Sequence, residues 1–112
     1  MEMTLTDRAG GIVEVALHGR LDTPGVAQIE LRFTASLVPR AARAIVDLSK
    51  VEFIGSMGIR MFISVARALA KKQGKLILYA PQALVKEVFD TVSLGEIIPV
   101  TTDLPSALAA AG

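Results

Sequence analysis

An α/β fold with a single mixed, mostly parallel β-sheet and about four helices is what this 112-residue chain predicts, and three observations carry the prediction. From Ile12 onward, short apolar runs alternate with amphipathic stretches, the order that yields β-α units with parallel strands joined by right-handed crossovers. Ahead of them, Arg8-Ala9-Gly10-Gly11 has the glycines of an N-terminal antiparallel hairpin, because two of its residues accept positive φ without a Cβ clash. In the middle, Ala44 to Leu69 (AIVDLSKVEFIGSMGIRMFISVARAL) passes from a strand buried on both faces, through a glycine-bounded serine turn, into a helix. The length suits one domain over residues 1–112, with roughly two-thirds of the unfolded surface buried on folding.

The elements follow in order. Met3 to Asp7 alternates as an edge strand, and Ile12 to Gly19 returns beside it. In that second strand Val13, Val15 and Leu17 face the core, while Glu14, Ala16 and His18 face a side expected to be half covered at most. At Gly19-Arg20-Leu21-Asp22-Thr23-Pro24 the chain turns into a helix, with Thr23 as expected cap and Pro24 at its first position. Val26, Ile29 and Phe33 form its apolar stripe, and it stops before Pro39. Ala44 to Leu48 fills a central strand that Ser49-Lys50 should end as a polar turn. Val51, Phe53 and Ile54 then lead to Gly55-Ser56-Met57-Gly58, where Ser56 is the expected N-cap of a helix reaching about Gln73. Ile59, Phe62, Ile63, Ala66 and Leu69 are its core face, Arg60, Ser64, Arg67 and Lys71 a solvated one, and Gly74 its C-cap. Lys75 to Tyr79 is a further buried strand, and Ala80-Pro81 opens a third helix with Leu84, Val85, Val88, Phe89 and Val92 on one face. Leu94-Gly95 closes it, Ile97 to Val100 is a short strand, and Asp103-Leu104-Pro105 starts a last helix through Ala110.

Composition removes several classes of function. A formal net charge of +1 gives no pull toward nucleic acid. The absence of cysteine rules out disulfides, thiolate nucleophiles and zinc-thiolate centres. His18 stands alone, without a second histidine or a carboxylate at ligand spacing, so it reads as an ordinary strand residue and no metal is expected. With no glycine-rich phosphate loop carrying a lysine and no recognisable serine-histidine motif, no enzyme, catalytic residue or cofactor is expected. Asp22 and Asp47, both placed at strand ends, are the one carboxylate pair a structure has to test. A mean hydropathy of +0.52 is high, yet no apolar run approaches the roughly 20 residues of a membrane span, so no direct membrane insertion is expected and the excess goes to a core and a partner surface. The opening MEMTLTDRAG has no basic-then-apolar pattern of a leader, which points to a cytoplasmic protein.

Asp47-Leu48-Ser49, Phe53 and Gly55-Ser56-Met57-Gly58-Ile59 resemble the signature of the STAS domain family, in which Asp-Leu-Ser ends a buried strand and Phe precedes Asp-Ser-Ser-Gly-Leu at the start of a helix. Gly19-Arg20-Leu21-Asp22 is similar to that family's Gly-x-Leu-Asp turn. The module is shared by bacterial anti-sigma factor antagonists and the cytoplasmic tails of sulphate transporters. By this resemblance Ser56 falls on the serine that antagonists present for phosphorylation, Gly55 stands where the family has an acid, and Met57 where it has a small hydroxyl residue. The implied function is partner switching in bacterial transcription signalling. The unmodified form binds a GHKL-type anti-sigma factor serine kinase and frees a sigma factor, and phosphorylation at Ser56 ends the binding. A phosphatase and a second copy of the chain are further partners to test. The partner surface is expected at Gly55, Ser56, Met57, Gly58, Arg60 and Met61, with Asp22 beside it. The alternative, which Gly55 and Met57 favour, is a non-phosphorylated accessory subunit of a complex such as a lipid-transporting ABC transporter, with a transport ATPase as partner.

Overall fold

Two glycines make the first turn. In the computed structural model, which describes residues 1–112, β1 (Glu2–Arg8) and β2 (Ile12–Leu21) pair antiparallel with Met3 opposite Leu17 and Arg8 opposite Ile12. The 3-10 turn between them holds Gly10 at φ +79° and Gly11 at φ +74°, as the hairpin reading requires. There follow α1 (Thr23–Leu37), β3 (Arg43–Ile54), α2 (Ser56–Ala70), β4 (Lys75–Tyr79), α3 (Ala83–Thr91), β5 (Val100–Thr101) and α4 (Leu104–Ala111). All strands share one mixed sheet in the order β1-β2-β3-β4-β5, with every pair after the hairpin parallel.

Right-handed crossovers that always step in the same direction put their helices on the same face of the sheet. Accordingly α1, α2 and α3 cover one face, where Val15, Leu17, Val46, Leu48 and Leu78 meet Phe33, Phe62, Val65 and Phe89 in the main core. Phe33 and Phe62 join α1 to α2 edge to face, with centroids 5.9 Å apart. The other face has only α4, whose Ala107 and Ala111 lie on Ile12, Ile45, Ile77 and Tyr79.

Several local expectations change. Ser49-Lys50 does not end the central strand: β3 runs on to Ile54, and its register against β2 slips between Ala16 and His18 and again between Gly19 and Arg20, so Ser49 and Glu52 fall at bulges while Lys50 pairs with His18. Asp47 holds the first of these, its Oδ1 accepting from the Ser49 N–H at 2.9 Å. Asp22, not Thr23, caps α1, because its longer acceptor reaches the Gly25 N–H at 2.8 Å. Gln73 takes the left-handed φ of +66° at the end of α2 that was expected of Gly74. The third helix starts at Ala83, after Pro81, and β5 is a two-residue strand, Val100–Thr101, that begins where the expected one ended.

Glu14 is the largest surprise on the sheet. Strand alternation left it on a half-covered face, but α4 closes over that end and Glu14 is 8% exposed. It is satisfied there by the Arg8 Nε–H and by the Tyr79 hydroxyl, which both donate to it. Burial first, then the hydrogen bond to Glu14 and the charges of Asp47 and Glu14, push the Tyr79 phenol well above its ordinary 10.0. A folded-state pKa raised in this way contributes stability that is whole below pH about 10 and is lost as pH rises beyond it. Since Tyr79 is the sole tyrosine, phenolate absorbance reports it alone. Alkaline titration should show no ionisation at pH about 11, where a free phenol is mostly charged, and then a cooperative rise with unfolding. A smooth transition near pH 10 would show that the Tyr79–Glu14 contact opens in solution.

Candidate functional site

β3 ends in buried Ile54, and the next residue turns the chain: the Gly55 N–H donates to the Leu21 carbonyl at 3.0 Å, tying this turn to the end of β2. Gly55, at φ −107° and ψ −174°, is the N-cap, and α2 begins at Ser56. The expected cap is therefore corrected by one residue. Ser56 already has helical backbone, so its hydroxyl makes no capping bond and stays exposed. The first rung of α2 is the Ile59 N–H to the Gly55 carbonyl at 3.2 Å, which leaves the N–H groups of Ser56, Met57 and Gly58 without a carbonyl inside the helix. No acidic side chain offsets the positive end of the dipole there.

The α1 turn lies alongside. Asp22 is partly buried and engaged, capping α1 and facing the Arg20 Nε at 3.5 Å, while the Arg20 guanidinium lies over the Phe53 ring, 4.5 Å from its centroid. Both turns thus meet at the carboxyl ends of parallel strands, the end of such a sheet where sites are usually built. Asp47 is not with them. It pairs with Ala16 and Tyr79 inside the sheet, whereas Asp22 follows Leu21, the partner of Ile54, so the two carboxylates occupy different levels and form no pair.

Of the expected partner surface, Ser56, Met57 and Arg60 are exposed and Gly55 is partly so. Two residues are not. Met61 is 1% exposed, because it shares one α2 stripe with buried Val65 and Leu69 and points into the main core. Gly58 is also buried: a Cβ there would lie 2.8 Å from Ile54 Cγ1 and 3.1 Å from Leu21 Cβ, so the missing side chain lets the helix start rest on the strand ends. His18 is exposed, 3.4 Å from a Glu2 oxygen, and no cluster of metal-binding side chains exists.

One feature escaped the sequence reading. Phe53 of the apolar group before the turn, and Leu84 and Val92 of the α3 apolar face, are exposed and, with Ile54, Val88, Glu52 and Glu87, line an apolar groove of about 360 Å³ between the end of β3 and α3. The available signal was the width of the α3 apolar face, more than a helix needs to cover one strand end. The Ser56 turn leads on one side to this groove and on the other to the basic side of α2.

The sequence profile of the STAS domain family matches residues 4–107. BtrV of Bordetella bronchiseptica, named as an anti-sigma factor antagonist, is 30% identical over 110 residues, 98% of this chain and 94% of that protein. Among solved structures, the anti-sigma factor antagonist SpoIIAA in its unphosphorylated form has a TM-score of 0.74 at 25% identity, over 91% of this chain and 90% of that one. The Bacillus cell fate determinant SpoIIAA in its phosphorylated form has a TM-score of 0.73 at 22% identity, over 99% and 100%. An anti-sigma factor antagonist from Mycobacterium paratuberculosis superposes with a TM-score of 0.86 at 23% identity, over 98% and 92%.

Proposed function

The chain belongs to the STAS domain family, and from that premise we propose that it is an anti-sigma factor antagonist working by partner switching in the cytoplasm. In its unmodified form it binds a GHKL-type anti-sigma factor serine kinase and releases the sigma factor. The kinase then transfers the γ-phosphoryl group of ATP to the Ser56 Oγ, the phosphate ester forms as the bond to the ADP leaving group breaks and the hydroxyl proton departs, and the complex dissociates. A phosphatase reverses the step. The observation that carries this reading is the exposed Ser56 hydroxyl beside three N–H groups without helical partners at the start of α2. Phosphate would add about −1.5 to −2 charges where the helix start and Arg60, one turn on, can hold them, so the fold survives while a closely packed partner is repelled.

A second reading rests on Gly55, which places hydrogen where the family has a carboxylate: an accessory subunit that is never phosphorylated. Space for the acid exists, since a Cβ at Gly55 would make ordinary contact with the Phe53 ring at 3.4 Å. An aspartate would cap α2 and stand beside the acceptor hydroxyl, where it can orient it or meet the kinase's magnesium.

Mass spectrometry after incubation with the cognate kinase and Mg-ATP decides between the two. Wild type should gain one phosphate, on Ser56, Ser56→Ala none, and Gly55→Asp should be modified faster than wild type. Phosphate on another serine would sink the site assignment. No phosphate on wild type, with a kinase that modifies a related antagonist, would select the accessory-subunit reading.

A further inference from the structure

From Phe53 to Lys86 the chain holds no aspartate or glutamate but six of its twelve lysines and arginines, so acids outnumber bases elsewhere although the net charge of the whole is only +1. Within that stretch Ser56, Arg60, Ser64, Arg67 and Lys71 recur every three or four residues and therefore line one side of α2. Arg60, Arg67, Lys71 and Lys72 are all exposed, and none of them forms an ion pair within the chain. They rim an open groove of about 730 Å³ between α2 and the end of α1, with Val38 and Ile63 on its floor.

We propose that this groove is a docking site for an acidic amphipathic helix of a partner protein. From Arg60 to Lys71 the rim runs about 17 Å along α2, some three turns, the length over which a helix with acids at every third or fourth position can meet each cation in turn. Unpaired cations attract such a helix without first breaking an internal ion pair. The apolar floor lies below the charges, so an inserted side chain can reach it and a flat anionic bilayer cannot. Four cations with no aromatic ring among them also fall short of a nucleic-acid track, which needs more phosphate contacts or stacking platforms. The proposal rests on the antagonist reading and extends it: the partner that covers Ser56 also runs along α2, and its docking segment is acidic.

The test compares two double charge reversals, Arg67→Glu with Lys71→Glu in the groove and Lys50→Glu with Lys75→Glu elsewhere on the surface. All four residues are exposed, and melting curves check that both variants fold. Binding to the cognate kinase is measured at low and moderate salt, and Ser56 phosphorylation is followed in the same samples. The α2 variant should bind about tenfold more weakly or worse, mostly through slower association, with the difference shrinking as salt rises. The control should stay within about twofold. Equal losses in both variants, or none in the α2 variant, while wild-type Ser56 is still phosphorylated, would overturn the groove and leave the antagonist reading standing. Failure of the kinase to bind or modify wild type would remove both. Phosphatidylserine vesicles and a short DNA duplex form the remaining arms. If either binds wild type and loses binding to the α2 variant while kinase affinity is unchanged, the stripe serves that class of ligand and the acidic-helix proposal is wrong.

Discussion

Met61→Glu is expected to destabilise the domain strongly, with a stability loss on the order of 4 kcal/mol or more. Met61 is 1% exposed, and its neighbours on that face of α2 are hydrocarbon. A carboxylate there has no donor to meet, so it either carries an unpaired buried charge or takes up a proton and remains an unsatisfied polar group. The melting temperature should fall by about 20 °C. Met57→Glu, one turn earlier and 39% exposed, should change stability by less than about 0.5 kcal/mol, since the added charge also faces the positive end of the helix. A Met61→Glu protein that melts within a few degrees of wild type would show that this part of α2 is rotated outward, and Met61 would return to the partner surface.

Gly25→Ala is the second large effect, at about 3 kcal/mol. A Cβ at Gly25 would lie 1.9 Å from the Arg20 carbonyl oxygen and 3.0 Å from Asp22 Oδ1. The first of these is backbone, so relief needs a shift of the whole turn, the kind of overpacking that costs about 1 to 3 kcal/mol, and the shift also breaks the Asp22 cap, for about 1 kcal/mol more. The damage spreads to the functional turn, because Leu21, between the two displaced residues, offers the carbonyl that holds Gly55. Chemical denaturation should show the loss, with Gly95→Ala as control, since a Cβ there meets nothing within 4 Å and should stay within about 0.5 kcal/mol. Equal midpoints for the two variants would mean that the Arg20–Asp22 turn is loose.

Hydrophobic period and glycine placement were enough to read the β-α order, the hairpin and the limits of β4, because each depends on local spacing that tertiary packing does not override. The Ser56 turn was legible for the same reason. Its cap was misplaced by one residue, since a serine and the glycine before it can both cap and only backbone dihedrals choose between them. Burial was harder. Nothing near Glu14 in sequence announces α4, which begins about ninety residues later, or Tyr79, whose hydroxyl satisfies it. Met61 and Met57 are one turn apart and chemically alike. What separates them is the end of the sheet beneath α2, a long-range boundary that helical periodicity does not contain.

The strict strand order has a further consequence for how the chain assembles. Every strand lies beside the one made just before it, so no strand has to be inserted between two that are already joined, and each register is set against a neighbour already in place. The sheet can grow in one direction as synthesis proceeds, closing only loops of about one β-α unit at each step. The helix over the opposite face comes last. Until α4 emerges, Ile12, Ile45 and Ile77 have no cover, and the nascent sheet presents that apolar strip to whatever first meets it.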